Sequence, residues 1–195
     1  MNVLQDLKEQ TAPYHIQIEK NPYAASMMDK TMTLEGYITY LQKFYGFIAP
    51  VEEAIAQLPG WETNGFDFDL RRKAPLIEQD LRQLGLSEQQ IAQLPRSRAL
   101  PDVSTFPRAL GYLYVIEGST LGGQVITKQL KKFLPIETEL NGRYFNSYGE
   151  EVRVRWGEFR ALVEQTAGSD EAASQTIEAA KETFILLDQW VNASE

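Results

Sequence analysis

The sequence has 195 residues, of which 43% are hydrophobic and 24% are charged, an ordinary composition for one globular domain. It contains no cysteine, which excludes disulfides, thiolate catalysis, iron–sulfur clusters and thiolate-bound zinc. The net charge of −8 and the pI near 4.8 argue against general binding to nucleic acid or to an anionic membrane, because both require a basic surface.

The N-terminal stretch "MNVLQDLKEQTAPYH" lacks a basic segment followed by an apolar one, so the sequence predicts no signal peptide. No apolar run approaches the ~20 residues that are needed to span a bilayer. We therefore expect a cytoplasmic protein that binds neither nucleic acid nor membrane.

The first predicted element is an amphipathic helix at the N-terminus. Its stripe recurs at steps of three and four residues and consists of Leu4, Leu7, Thr11, His15 and Ile18. Pro13 interrupts the pattern, so we expect it to kink or restart the helix, with Thr11 capping the second part.

Periodicity predicts a second helix over 33–57 and a third over 70–84 that ends at Gly85. The stretch "WETNGFDF" between them is predicted to be a loop, because it contains Asn-Gly and has no period. Ser87 then caps a short turn that runs through Leu94, with Gln90 at the spacing of a capping box.

Three further helices are predicted: 105–133, which Pro135 ends, an aromatic one over 143–167 that Gly149 could break, and a last one over 170–191. No segment alternates convincingly as a strand. The sequence thus predicts a single all-α domain spanning 1–195. The charged runs "DLRRK" and "QLKKF" are interpreted as solvated faces.

His15 is the only histidine, and it falls on the apolar stripe of the first helix with Glu19 one turn later. Neutral imidazole is the commonest protein ligand for metals, and a carboxylate at that spacing would orient the ring. A half-buried histidine with a satisfied hydrogen bond, or a simple His–Glu pair at i,i+4, explains the same pattern.

The lone histidine also restricts the kind of metal site. A ferritin-like di-iron centre needs two Glu-x-x-His repeats, and the sequence has none. If His15 binds a metal, most of the other ligands must come from a cofactor. A porphyrin supplies four nitrogens and needs only one axial side chain.

The predicted helix over 105–133 carries four glycines in the stretch "GYLYVIEGSTLGGQVI". Each costs roughly 1 kcal/mol of helix stability relative to alanine. At ~100° per residue Gly111, Gly118 and Gly122 fall on one side within about 20°, and Gly123 lies beside them. Such a groove admits a flat ligand or another backbone, and the adjacent glycines could also mark a helix break.

With these motifs in order, the sequence resembles the heme oxygenases that produce biliverdin, in particular the bacterial branch paired with phytochromes. "LKEQTAPYHIQIE" resembles the segment that supplies the axial histidine, and "EGSTLGGQVI" resembles the distal helix. The segments "TLEGYITYLQKFYGFIAPVEEAI", "APLIEQDL", "YFNSYG" and "TFILLDQW" are also similar, so the resemblance covers nearly the whole chain.

The resemblance implies a heme oxygenase-like multi-helix bundle that cleaves heme b to biliverdin, CO and ferrous iron. Heme would be both substrate and cofactor, O₂ the oxidant, and a separate reductase or ferredoxin the electron donor. A phytochrome or a reductase would accept the biliverdin.

The resemblance also assigns roles to residues. His15 would hold the iron with Glu19 in its usual place, and glycines and a serine would line the O₂ side. Basic residues would hold the heme propionates. The distal set is Gly118, Ser119, Gly122 and Gly123, and the basic set is Lys8, Arg153 and Arg160.

One position departs from many members of the family. Ser119 stands where they have an aspartate that organises the water which delivers protons. We expect water and the backbone carbonyls of the distal helix to take that role, with Glu117 on another face supporting the structure from behind. A heme-binding carrier or sensor without turnover is the alternative, and a helical protein without heme is a second one.

Overall fold

The computed structural model describes residues 2–193, and every regular element in that range is helical. The helices are α1 (Val3–Ile18), α2 (Pro22–Met28), α3 (Leu34–Ile55), α4 (Ala74–Gln83), α5 (Glu88–Ala92), α6 (Phe106–Leu130), α7 (Val152–Thr166) and α8 (Asp170–Asn192). Short 3₁₀ turns cover Glu62–Asn64, Asp69–Arg71 and Gly149–Glu151. The predicted all-α class is confirmed, whereas the ends of the predicted domain at 1 and 194–195 lie outside the described residues.

Side-chain caps explain where several helices begin. Thr33 accepts a hydrogen bond from the Gly36 N–H at the start of α3, and Ser169 accepts one from Ala172 at the start of α8. The capping box that Ser87 and Gln90 form at α5 has both of its hydrogen bonds. These are the residue types that satisfy the free N–H groups of a first turn, so the boundaries follow from local chemistry.

Three local predictions were wrong, namely the break at Pro13, the cap at Thr11 and the start of the aromatic helix, and one short helix was missed. Pro13 lies inside an unbroken α1, and Thr11 does not cap a second part, because its hydroxyl donates to the Leu7 carbonyl at 2.7 Å. Pro13 is exposed at this position. The helix α2, which begins with Asn21 as its cap, was not predicted. The aromatic helix begins at Val152 rather than near 143, after a turn that ends in the 3₁₀ segment.

The core forms where α6 and α8 pack side by side, and α1 also packs against α8. Gly111 permits this contact, since a Cβ there would collide with the Thr176 carbonyl of α8. Large side chains such as Tyr37, Phe47 and Tyr112 are fully buried around the pair. No helix within residues 2–193 has the length and apolar character that crossing a bilayer requires.

The segment 141–148 is held against α4 by one buried carboxylate. Asp80 accepts hydrogen bonds from the backbone N–H of Arg143 at 3.0 Å and of Tyr144 at 2.9 Å. Tyr37 donates to the Asn141 carbonyl at 2.9 Å, which fixes the start of the segment. Burial raises the pKa of Asp80 to about 6, and the two N–H donors oppose that rise.

Asp80 should therefore give the protein a specific dependence of stability on pH. The folded pKa lies above the unfolded value near 3.9, so the folded state binds the extra proton in between, and its stability falls as pH rises from about 4 to 6. We expect the unfolding free energy of the wild type relative to Asp80→Asn to fall by about 2–3 kcal/mol across that window and to stay level above it.

Urea unfolding at half-unit intervals between pH 4 and 8 measures this difference. The exposed Asp29→Asn variant is the control, and its difference from the wild type should be flat across the window. A flat difference for Asp80→Asn as well would refute the assignment.

Candidate functional site

His15 lies near the C-terminal end of α1 with 56% of its side chain exposed. Its ring meets Phe184 of α8 edge-on at a centroid distance of 5.8 Å. The Nδ1 atom is 3.6 Å from Oε1 of Glu19, so the two residues are neighbours as their spacing predicts. The carboxylate is beside Nδ1, slightly beyond hydrogen-bond distance, and Nε2 is on the other side of the ring.

The four glycines of α6 divide into two kinds. A Cβ at Gly111 or at Gly123 would collide with backbone, of α8 in the first case and of Phe145 in the second. At Gly122 a Cβ would meet nothing within 4 Å, and at Gly118 it would touch only the Trp156 ring at 3.7 Å. Packing therefore accounts for Gly111 and Gly123, whereas Gly118 and Gly122 leave an open face.

Gly123 was expected to share that open face, and the structure places it elsewhere. It is buried against the segment 141–148, which Asp80 holds. The alternative of a helix break at the paired glycines is also wrong, because α6 continues without interruption to Leu130.

Helices α1, α6 and α7 meet at Tyr114, one turn before Gly118. Burial raises the pKa of the Tyr114 phenol, while the neighbouring Thr11 hydroxyl on α1 and the Arg160 charge on α7 act in the opposite direction. Trp156 of α7 lies 5.7 Å from the Tyr114 ring. Thr11 is one turn before His15, so the histidine and the open glycines belong to helices that converge on one region.

Ser119 is exposed on the open side of α6, beside Gly118 and Gly122. Its hydroxyl donates to the Ile116 carbonyl of the same helix at 2.7 Å. The hydroxyl proton is thereby engaged, and the oxygen lone pairs remain free to accept a hydrogen bond from water.

The three predicted basic residues lie on two of the converging helices. Lys8 is on α1 seven residues before His15, and Arg153 and Arg160 are seven residues apart on α7, which puts each pair on one face. All three are exposed, and within residues 2–193 none of them takes part in an ion pair. Trp156 was not predicted as a site residue. Its spacing of three residues from Arg153 and four from Arg160 could have placed it on the same face of α7.

Glu117 points away from this region, as its position on the helix predicts, and is 1% exposed. Its carboxylate binds Lys73 Nζ at 2.6 Å and Arg71 Nη1 at 2.9 Å. The interpretation of "DLRRK" as a solvated face was therefore wrong for Arg71 and Lys73, which are buried because they neutralise this carboxylate. "QLKKF" is exposed at Lys131 and Lys132, as expected.

Across residues 2–193 no three histidine, cysteine, aspartate or glutamate side chains come together as a metal site. A cofactor that brings most of its own ligands needs one accessible nitrogen and a flat, open surface. The exposed ring of His15 and the open face at Gly122 meet those two requirements.

Comparison with known proteins identifies the class. A sequence profile described as "Heme oxygenase" matches residues 1–193. A heme oxygenase of Xanthomonas campestris pv. campestris is 32% identical over 150 residues, which cover 76% of this chain and 84% of that protein.

Solved structures show the same fold. The heme oxygenase from Leptospira interrogans superposes with a TM-score of 0.80 at 18% identity, covering 98% of this chain and 99% of that one. The NO- and CO-bound heme oxygenase from Neisseria meningitidis gives a TM-score of 0.78 at 21% identity, covering 100% of this chain and 94% of that one.

A heme oxygenase from the cyanobacterium Synechocystis, in complex with heme, gives a TM-score of 0.80 at 15% identity, covering 98% of this chain and 91% of that one. The family match and the Xanthomonas relative thus define an all-helical oxidoreductase that acts on heme. The chain belongs to the heme oxygenase family.

The division of the α6 glycines predicts opposite effects of the same substitution at neighbouring positions. Gly123→Ala forces a methyl group into the Phe145 carbonyl and should destabilise the protein by about 1–3 kcal/mol. Gly122→Ala meets no atom and should raise stability by up to about 1 kcal/mol, because alanine favours the helix.

Chemical denaturation of the two variants without heme measures both effects. Gly157 is an exposed glycine of α7 where a Cβ would also meet nothing within 4 Å, so Gly157→Ala measures the effect of helix propensity alone. Equal stability of the Gly122 and Gly123 variants would contradict the division.

Proposed function

We propose that the chain binds heme between α1 and α6 and opens the ring to biliverdin, CO and ferrous iron, using O₂ and electrons from an external donor. The observation that carries the proposal is the exposed histidine of α1 on helices that converge with the open Gly118–Gly122 face of α6. Membership of the heme oxygenase family supports the reaction.

His15 is proposed as the proximal ligand, through Nε2. The Glu19 carboxylate, 3.6 Å from Nδ1, favours the tautomer with the proton on Nδ1 and makes the other nitrogen a better donor. The Phe184 ring, edge-on to the imidazole, limits its rotation.

On the distal side, Gly118 and Gly122 are proposed to let the backbone of α6 come close to the heme face. Bound heme supplies the iron that takes O₂ and the ring that is oxidised. A carboxylate cannot deliver protons from position 119, because the residue there is serine. The Ser119 hydroxyl, already donating to Ile116, is proposed to hold water by accepting its hydrogen bond, and this water delivers the protons.

Lys8, Arg153 and Arg160 are proposed to bind the two heme propionates. Their exposure and their lack of ion pairs among the described residues leave them able to do so. Two arginines on one face of α7 match a pair of carboxylates, since guanidinium binds carboxylate through two parallel hydrogen bonds.

The electron donor is proposed to be a cytoplasmic reductase or ferredoxin with an acidic surface. Lys128, Lys131 and Lys132 are all exposed at the C-terminal end of α6 and form a local basic patch on an otherwise acidic protein. The product biliverdin is proposed to pass to a phytochrome or to a reductase.

Replacing His15 with alanine tests the proximal assignment. We expect the ferric heme complex of His15→Ala to lose the spectrum of a six-coordinate histidine–water heme and to lose turnover. Added imidazole should restore the spectrum, because it supplies the missing nitrogen. Gln17→Ala, at an exposed position of the same helix, is the control and should leave the spectrum unchanged.

With the wild type, hemin, a reductant and O₂ should bleach the Soret band as the absorbance of biliverdin grows. A heme complex that remains stable under these conditions would instead support the carrier or sensor alternative, which serine at position 119 keeps open.

A further inference from the structure

Glu117 belongs to a closed charge cluster immediately behind the open face of α6. Its Oε1 accepts from Lys73 Nζ at 2.6 Å and from the Tyr148 hydroxyl at 2.7 Å, and its Oε2 accepts from Arg71 Nη1 at 2.9 Å. Lys73 Nζ also donates to the Tyr148 oxygen at 2.8 Å. We call these four residues the Glu117 cluster.

The Glu117 cluster joins α6 to three other parts of the molecule. Arg71 and Lys73 come from the 3₁₀ turn and connector before α4, and Tyr148 comes from the turn before α7. Arg71 continues to α7, where it donates to the Arg155 carbonyl at 3.0 Å and to Glu158 at 2.6 Å. In the network that these contacts form, Glu117 is the one residue contributed by α6.

The cluster tolerates little movement of this carboxylate. Arg71 and Lys73 are 4% and 1% exposed, so their charges need a close anion. Burial lowers the pKa of Lys73, and the contact with Glu117 opposes that effect. Arg71 also pairs with Glu158, but a shift of Glu117 would take the carboxylate partner from the buried Lys73 ammonium, which costs more than the pairing itself gains.

Glu117 is also bonded directly to Gly118, the first residue of the open face. Successive residues of a helix differ by ~100° in direction, so a rotation of α6 that moves the carboxylate turns Gly118 and Ser119 through the same angle. Gly118 and Gly122 themselves do little to fix the rotation of α6, because a Cβ would have one ordinary contact at Gly118 and none at Gly122.

We infer that Glu117 is a positioning residue for heme cleavage: between the packed points at Gly111 and Gly123, its pairing with Arg71, Lys73 and Tyr148 fixes the rotation of α6 and thus the place of the Gly118–Ser119 backbone over the distal face of the heme. The effect on heme cleavage rests on the proposed function, whereas the fixing of α6 by Glu117 is a property of the chain without heme.

Glu117→Gln tests the inference, with Glu158→Gln as the matched control. Both substitutions remove a carboxylate partner of Arg71, but only the first is on α6. In the full chain without heme, hydrogen exchange of the amides of residues 115–123 should be about tenfold faster in Glu117→Gln and unchanged in Glu158→Gln.

The heme complex gives the functional readout. The C–O stretching frequency of the CO complex, which reports the distal surroundings, should shift in Glu117→Gln and not in Glu158→Gln. The kcat should fall about ten- to a hundredfold with little change in KM, because displacement by an ångström costs rate more than binding.

Tyr148→Phe keeps the inference falsifiable if Glu117→Gln does not fold. It removes one hydroxyl that bridges Glu117 and Lys73 and leaves both charges paired, so we expect a smaller shift in the same direction. Unchanged exchange and an unchanged C–O frequency in either folded variant would overturn the inference. Failure of the wild type to form biliverdin would overturn the proposed function instead, and the exchange result would stand apart from it.

Discussion

The pairing of the buried Glu117 carboxylate with Arg71 and Lys73 is the constraint on which the arrangement of the site depends. A carboxylate in the middle of an apolar helix is tolerated only where cations meet it, and those cations come from a turn far away in sequence. The turn before α4 must therefore lie behind α6. With that face of α6 closed by charge, Ser119 and Gly122 on another face are exposed to solvent, and Gly118 is half-buried beside Trp156.

The order of the glycines in α6 allows the helix both to pack closely against its neighbours and to keep an open face. Gly111 lets α6 lie close to α8, and Gly123 makes room for the turn that Asp80 holds against α4. Between these two packed points, Gly118 and Gly122 are free of backbone contacts. The helix is therefore held at both ends of its glycine-rich stretch, and the loss of helix propensity at the open glycines does not loosen it.

Helix periodicity predicted most of the fold, and the capping box of Ser87 was predictable because its partner Gln90 is only three residues away. The proximity of His15 and Glu19 was predictable for the same reason. Burial of Arg71 and Lys73 was not, since "DLRRK" is charged along its whole length and its partner Glu117 is more than forty residues away. The sequence pattern also could not show that Gly122 is open and Gly123 is packed, because the difference depends on the distant segment around Phe145 that packs against Gly123.

Heme is proposed to lie between α1 and α6, with His15 of α1 on one face and the Gly118–Gly122 backbone of α6 on the other. A crystal structure of the ferric heme complex tests this most directly. We predict that Nε2 of His15 is bonded to the iron and that the Cα atoms of Gly118 and Gly122 are in van der Waals contact with the opposite face. Iron bound by another side chain, or heme bound away from the Gly118–Gly122 face, would contradict this placement of heme.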